Sequence, residues 1–226
     1  MLSSKTLSRL RKESSAAERI PYAAQVAEHV VRTLSGDYIQ VFRLGGASFE
    51  SQDDVEVNSW HERLNVLWRN IASPNVAVWT HVIRRREESY PRGDFPDAFS
   101  SALDARYRKR LAGERLMVNE LYLALVYRPT VGAATGWTAK LLTRGARGIT
   151  DLSSDSLDAC EKLRQTAKAS LERYDAEPLG TYRAGGRRYS RLLEFFALLV
   201  NGESQPVPLP TAPVNQVLAT TRVSLP

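Results

Sequence analysis

Two runs of uninterrupted apolar residues limit the fold of this chain more than any other feature. They cover residues 121–127 and 195–200, and they are the longest such runs in the sequence. A helix that spans a bilayer needs roughly 20 apolar residues. Runs this short are instead the size of buried strands or short helices in a folded core. The sequence therefore predicts a chain that does not cross a membrane by itself.

The composition is that of a folded protein with one or two domains. Of 226 residues, 43% are hydrophobic and 25% are charged, which is too apolar for a disordered chain. Lys and Arg number 31 against 25 Asp and Glu, so the net charge is +6. The single cysteine, Cys160, permits no internal disulfide framework and is typical of a reducing compartment such as the cytoplasm. The basic, serine-containing residues 1–19 predict a flexible tail.

Alternating apolar residues and helical spacing predict the first half of the fold. Residues 27–34 and 38–44 are predicted to form two strands joined by a tight turn. A helix is predicted at 53–72, since large apolar residues recur there at helical spacing. Residues 75–84 are apolar on both alternating positions, which is typical of an inner strand covered on both faces. The apolar residues of the predicted helix are Trp60, Leu64, Leu67, Trp68 and Ile71.

The second half of the chain carries the same kinds of signals. The predicted elements are a helix from Asp94, a strand at 119–127, a glycine-rich loop at 130–150, a helix capped within 153–156, an edge strand at 179–183 and a helix at 189–201 that Gly202 ends. In the helix from Asp94 the apolar residues Phe95, Phe99, Leu103 and Leu111 form one row. In the next helix the predicted buried row is Cys160, Leu163, Ala167, Leu171 and Tyr174.

These elements predict an α+β fold. A mixed, largely antiparallel sheet of about four to five strands is expected to pack against helices. The predicted domain covers residues 20–202. Residues 203–226 are rich in proline and are predicted to be an extended segment without a core of its own.

The sequence contains no motif that predicts catalysis. It lacks the Gly-x-x-x-x-Gly-Lys-Ser/Thr loop that cradles phosphates, the Gly-x-Gly-x-x-Gly fingerprint of dinucleotide sites and the Gly-x-Ser-x-Gly elbow of hydrolases. His29, His61 and His81 are far apart and lack metal-ligand spacing. We therefore predict no catalytic, cofactor-binding or metal-binding residue in this chain.

Basic clusters are the remaining functional signal. They are Arg84, Arg85 and Arg86; Arg106, Arg108, Lys109 and Arg110; and Arg183, Arg187, Arg188 and Arg191. Such clusters bind nucleic acid, acidic lipid headgroups or acidic protein surfaces, and charge alone does not choose between these partners. A solvated face with local salt bridges is an equally simple interpretation.

Short segments in a distinctive order cover almost the whole chain, from residue 20 to about 222. In chain order they are Ile20-Pro21-Tyr22, Gly46-Ala47-Ser48-Phe49-Glu50, Leu64-Asn65, Arg69-Asn70-Ile71, Trp79-Thr80-His81-Val82-Ile83-Arg84-Arg85, Asn119-Glu120-Leu121-Tyr122-Leu123, Tyr127-Arg128-Pro129, Tyr189-Ser190, Leu193-Glu194-Phe195, Asn201-Gly202-Glu203 and Pro206-Val207-Pro208-Leu209. In this order and spacing, the chain resembles the N-terminal region of the CagE, TrbE and VirB family, the large ATPase of bacterial type IV secretion systems.

The resemblance implies a bacterial cytoplasmic protein docked at the inner membrane, where it energises DNA or protein transfer and pilus biogenesis. In that family the nucleotide site lies in a RecA-like C-terminal domain, so ATP and Mg are expected only there. The N-terminal region would contribute oligomerisation and attachment to inner-membrane components, notably the third and eighth VirB proteins. A basic α+β domain without a catalytic motif agrees with this role.

The predicted interface combines basic and apolar residues. Its members are Arg84, Arg85, Arg86, Arg106, Arg108, Lys109, Arg110, Arg187, Arg188, Phe195 and Phe196. Basic side chains would be attracted to an anionic cytoplasmic leaflet, and apolar surface on residues 192–200 would accept a partner segment. The alternative is a basic nucleic-acid-binding module. Against this alternative, aromatic side chains that could stack on bases are not interleaved with the arginines, except Tyr107 and Tyr189.

Overall fold

A computed structural model describes residues 15–87, 90–91, 93–129 and 146–220, with side chains omitted for residues 146–153. The described elements are β1 (Tyr22–Ala27), β2 (Val30–Thr33), β3 (Tyr38–Leu44), α1 (Asp54–Ile71), β4 (Val76–Arg86), α2 (Ala98–Ala112), β5 (Met117–Tyr127), α3 (Ala146–Ser170), β6 (Ala176–Pro178), β7 (Thr181–Ala184), β8 (Arg187–Ser190), α4 (Arg191–Asn201) and α5 (Val214–Thr220). Short 3-10 turns occur at Ala16–Arg19 and Glu172–Tyr174. None of the described helices is long and apolar enough to span a bilayer.

Six strands form the main sheet, in the order β1-β2-β3-β5-β4, with β6 paired to β3 beyond the end of β2. Neighbouring strands are antiparallel throughout. A second sheet consists of the β7–β8 hairpin, which turns at Gly185 and Gly186, both with positive φ. The predicted α+β class with a largely antiparallel sheet is confirmed.

The sheet separates two hydrophobic clusters, because successive residues of a strand point to opposite faces. Val41, Ala124 and Val126 belong to the cluster that contains α4 and α5, whereas Phe42, Leu123 and Leu125 belong to the cluster that contains α1 and α3. The helices contribute Leu192, Leu193, Phe195, Phe196 and Leu218 to the first cluster and Leu67, Ile71 and Ala167 to the second, to which Leu171 is added directly after α3. The central strands β3 and β5 are therefore buried on both faces.

Two strand predictions need correction. The hairpin of β2 and β3 is confirmed, but β1 precedes it and was not predicted. The strand at 75–84 is wrong as an inner strand, since β4 lies at the edge of the sheet. Its apolar residues are divided: Val78 packs against the second cluster, whereas Trp79 and Val82 are exposed. Ile83 packs against the first cluster, so each face of β4 is covered in part and carries an exposed apolar residue as well.

The predicted buried faces of the helices agree with the structure better than the predicted positions of the helix ends. The helix predicted at 53–72 is α1, with Asp53 at the N-cap position. Residues 153–156 do not cap α3, because this helix already includes Ala146. The predicted loop at 130–150 is wrong over residues 146–150, which are helical. Residues 130–145 of that loop lie outside the described residues. The Cys160 row is confirmed, with Cys160, Ala167 and Leu171 buried. Ser190 caps α4 by accepting a hydrogen bond from the Leu193 N–H at 3.2 Å.

The two ends of the described chain pack together. Residues 1–14 of the predicted tail lie outside the described residues, but Ala17 is buried and its carbonyl accepts a hydrogen bond from the Asn215 side chain at 3.1 Å. Residues 214–220 are helical, which corrects the expectation of extended chain over 203–226. Val207, Val214 and Leu218 are buried in the first cluster, so this segment completes the core around α4.

Candidate interface on a projecting arm

Strands β4 and β5 continue past the rest of the sheet. The pairing of β5 with β3 covers residues 121–127, whereas its pairing with β4 covers all of Met117–Tyr127. Residues 83–86 and 117–120 therefore form a two-stranded ribbon beyond the end of β3, and α2 lies at the tip of this ribbon. We call the described part of residues 83–120 the arm.

Helix α2 keeps its apolar side chains in solvent. None of its residues is buried, and Phe99 is 76% exposed. Phe95, Leu103 and Tyr107 are exposed as well. The helix begins at Ala98 rather than at the predicted Asp94, because Asp97 is its N-cap and accepts a hydrogen bond from the Ser100 N–H at 2.7 Å. The predicted row of apolar residues therefore exists, but in the described structure it has no core to pack into.

Polar contacts hold α2 against the loop that precedes it. The Tyr90 hydroxyl donates to Asp104 Oδ1 at 2.8 Å, and this hydrogen bond raises the pKa of Tyr90. Arg108 donates to Asp104 Oδ2 at 3.2 Å and places its guanidinium 4.8 Å from the centre of the Tyr90 ring. An open groove of about 1130 Å³ lies beside these residues, with Phe95, Tyr107, Leu111 and Leu116 in its lining. The apolar row thus continues into a groove.

The arm brings two of the predicted basic clusters together. Arg86 and Arg108 line the same groove, and all of the following basic residues of the arm are exposed: Arg84, Arg85, Arg86, Arg106, Arg108, Lys109 and Arg110. Some have acidic neighbours, such as Glu114, whose Oε1 lies 3.7 Å from Arg110 Nε. Exposed ion pairs of this kind add little stability.

Glu120 fixes the base of the arm to the sheet. Its carboxylate accepts hydrogen bonds from Arg85 Nε at 2.9 Å and from the Tyr122 hydroxyl at 3.0 Å, and Arg43 lies 3.5 Å away. Burial acts to raise the pKa of Glu120, but these hydrogen bonds and the two guanidinium charges outweigh it, so the pKa lies below its ordinary value. Burial and the nearby Glu120 raise the pKa of Tyr122 to about 12. Arg85 therefore has a structural role at this junction.

The other predicted interface residues lie elsewhere. Arg187 and Arg188 are exposed on β8 of the small sheet, not on the arm. Phe195 and Phe196 are wrong as interface residues because both are buried. The Phe196 ring stacks on Tyr22 with centroids 3.9 Å apart, and the Phe195 ring lies 4.7 Å from that of Tyr122.

Sequence reasoning missed two exposed apolar residues of β4. Trp79 is 59% exposed and Val82 is 64% exposed. Their signal was present as apolar residues on both faces of one strand, but that pattern was assigned to burial. Among the described residues, no group of three or more His, Cys, Asp or Glu side chains is placed to hold a metal ion.

Comparisons with known proteins agree with the resemblance. The family model described as Type IV secretion system ATPase VirB4/TrbE, N-terminal domain, matches residues 29–134, a span that includes the whole arm. The chain is 34% identical over 224 residues to the type IV secretion system protein virB4 of Brucella suis, covering 96% of this chain and 27% of the relative. It is 32% identical over 219 residues to virB4 of Bartonella quintana, covering 96% of this chain and 28% of the relative.

A relative with a different name gives the same result. The chain is 34% identical over 217 residues to the type IV secretion system protein PtlC of Bordetella pertussis, covering 94% of this chain and 26% of the relative. The chain thus spans about a quarter of the length of the curated relatives it matches.

Proposed function

Because this chain belongs to the VirB4/TrbE family of type IV secretion system ATPases and corresponds to its N-terminal region, we propose that it assembles and docks such an ATPase at the inner-membrane channel. ATP hydrolysis would take place in another part of the protein. The residues of this chain do not fit a nucleotide site, since the sequence has no phosphate-binding loop with its lysine. ATP and Mg²⁺ would bind outside these residues.

The exposed apolar side chains of the arm are the observation that carries the proposal. Each of them stays in water at a cost of about 25 cal/mol for every Å² of apolar surface. Phe99 and Leu103 are more than half exposed on an element that projects from the sheet. Exposed apolar surface framed by polar residues marks interaction sites. A partner that covers this surface would recover the lost hydrophobic free energy, which favours docking through the arm.

The basic residues of the arm support a location at a membrane. The cytoplasmic leaflet of a bacterial inner membrane is anionic, and clustered arginines and lysines are attracted to it within about a Debye length. Arg84, Arg106 and Lys109 are exposed. We propose a peripheral contact at the cytoplasmic face of the inner membrane, with the third and eighth VirB proteins as docking partners and with oligomerisation of the ATPase itself.

The test replaces Phe99 and Leu103 by aspartate in the protein as it is made in the cell. A matched control places aspartate at Val55 and Val66, which are exposed apolar residues of α1. We expect the arm variant to lose at least ten-fold in co-purification with the third VirB protein, because two charges would have to be buried in the contact. The control variant should co-purify as the wild type does.

The result also separates the docking role from nucleic-acid binding. Both variants should retain wild-type circular dichroism, since the replaced side chains are exposed. Co-purification of the arm variant at the wild-type level would show that docking does not use this surface. A steep salt-dependent affinity for single-stranded DNA, with no binding to membrane proteins, would instead support the nucleic-acid alternative.

A further inference from the structure

Strand β4 forms a long, regular edge of the sheet. Its eleven residues pair with β5 without interruption, from Val76 opposite Tyr127 to Arg86 opposite Met117. No other strand of the described chain pairs with β4. An edge of this kind presents a row of backbone donors and acceptors to which another strand can add.

Two hydrogen bonds reveal which backbone groups face the open edge. The Arg128 N–H donates to the Asn75 carbonyl at 2.7 Å, and the Glu87 N–H donates to the Leu116 carbonyl at 2.9 Å. Both lie in the register of the β4–β5 pair, in which hydrogen-bonded and non-hydrogen-bonded pairs alternate. The odd-numbered residues of β4 therefore bond to β5. The even-numbered residues from 76 to 84 direct their N–H and C=O groups outward.

The first part of this edge lacks the features that usually prevent strand addition. Residues 76–83 contain no proline, lysine, arginine, aspartate or glutamate, and the register with β5 shows no bulge. Natural edges are commonly protected by such features. Trp79 and Val82 are also exposed on opposite faces of the strand, so a strand added here would cover apolar surface on both sides of the sheet.

We propose that β4 pairs antiparallel with β4 of a second copy of this chain, about a two-fold axis at His81. The inference deepens the proposed assembly function and rests on it. His81 is the midpoint of β4, so this register pairs all eleven residues. It places Thr80 opposite Val82, both of which direct backbone groups outward, as a hydrogen-bonded pair requires.

Side-chain pairing in this register is complementary. Trp79 meets Ile83 on one face, and aromatic residues opposite β-branched residues stabilise sheets. The three arginines at the end of one strand meet residues 76–78 of the other strand, which are apolar. Like charges therefore do not face each other, whereas a two-fold axis at Arg84 or beyond would place arginine opposite arginine. This self-complementarity favours a second copy over an unrelated strand.

Cysteine cross-linking in the whole protein tests the pairing and its register. The background replaces Cys160, and any cysteine elsewhere in the protein, by alanine. His81→Cys places the two thiols in a non-hydrogen-bonded pair, where Cα atoms are about 4.5 Å apart, within the range of a disulfide. We expect mild oxidation to convert most of this variant to a covalent dimer in wild-type cells.

Matched controls use Trp79→Cys and Ile83→Cys. In the proposed register, each of these residues lies about 14 Å along the strand from its own copy, so neither variant alone should form a dimer. Co-expressed with different tags, the two variants should cross-link to each other because residue 79 meets residue 83. This mixed product would confirm the antiparallel register without any change at His81.

The outcomes separate this inference from the docking role of the arm. Absence of a dimer from His81→Cys and from the mixed pair would overturn the β4 pairing, even where the arm still binds its partner. A cross-link from β4 to a different protein would overturn it as well. If the Phe99→Asp, Leu103→Asp variant loses its partner but retains the His81→Cys dimer, docking and pairing are independent. If that variant binds normally and the dimer forms, only the docking role fails.

Discussion

Replacing Phe196 by alanine distinguishes a core role from an interface role for the apolar helix α4. Phe196 is 2% exposed, and its ring stacks on Tyr22 at an interplanar angle of 18°. Phe99 provides a matched control because it is the same residue type in a helix but is largely exposed. The structure therefore predicts a large loss of stability for Phe196→Ala and a small change for Phe99→Ala.

The expected magnitude follows from the buried area. A buried aromatic side chain removes about 150–250 Å² from water, which corresponds to about 4–6 kcal/mol at about 25 cal/mol per Å². Alanine retains part of this burial at Phe196, and its better helix propensity returns about 0.5 kcal/mol. We expect Phe196→Ala to lower the free energy of unfolding by about 3–4 kcal/mol. Phe99→Ala should change it by less than about 0.5 kcal/mol.

Urea denaturation followed by tryptophan fluorescence measures both effects. With an m value of about 2 kcal/mol per M, the Phe196 variant should unfold at roughly 1.5–2 M less urea than the wild type. The Phe99 variant should unfold with the wild type. If Phe196→Ala keeps the wild-type midpoint but abolishes partner binding, then α4 presents this face to a partner and the assignment of the core is wrong.

Two further predictions concern the packing at Gly180, between β6 and β7, and the charge at the β2–β3 turn. A Cβ atom at Gly180 would lie 2.5 Å from His29 Cε1, so Gly180→Ala should destabilise the fold by about 1–3 kcal/mol. Thermal denaturation should show that adding His29→Ala reverses most of this loss. If the double variant recovers no stability, the added methyl group clashes with a different residue. The hydrogen bond from Arg128 holds the pKa of Asp37 below its ordinary 3.8, so this pair stabilises the fold above pH 3.8 and the stabilisation is lost as pH falls through the lowered pKa. Arg128→Gln should therefore reduce the loss of stability between pH 5 and pH 2, measured as the urea midpoint, and parallel declines in both proteins would contradict the assignment.

The spacing of apolar residues along the sequence predicted which faces of the helices are buried. The apolar faces of α1 and α3 were predicted correctly except at Trp68, which is exposed, whereas Trp60, Leu67 and Cys160 are buried. A helix places residues three and four apart on one face whatever surrounds it. Helix α4 differs, since its apolar residues are covered by the sheet and by α5, and the segment that contains α5 was predicted to be extended. Sequence alone shows that such residues need cover but not what supplies it.

The sequence predicted the basic residues of the candidate interface but not the arm that brings them together. Clusters of basic residues in the sequence identified Arg84–Arg86 and the basic residues of 106–110. Their gathering on one arm depends on the register of β4 and β5, which extends beyond β3. The same limitation explains why β4 was wrongly predicted as an inner strand, since apolar residues on both faces occur in buried strands and also in edge strands with exposed apolar surface. Only the sheet order distinguishes the two.

The β4 pairing constrains how the arms meet a membrane. An antiparallel pair joined edge to edge has its two-fold axis perpendicular to the sheet, so both copies present the same face to the same side. The arms then extend in opposite directions from β4. Residue 86 of one copy pairs opposite residue 76 of the other, so the two Arg86 residues at the ends of β4 lie about 34 Å apart along the strands. Both basic arms can therefore contact one flat leaflet only when the joined sheet lies parallel to the bilayer.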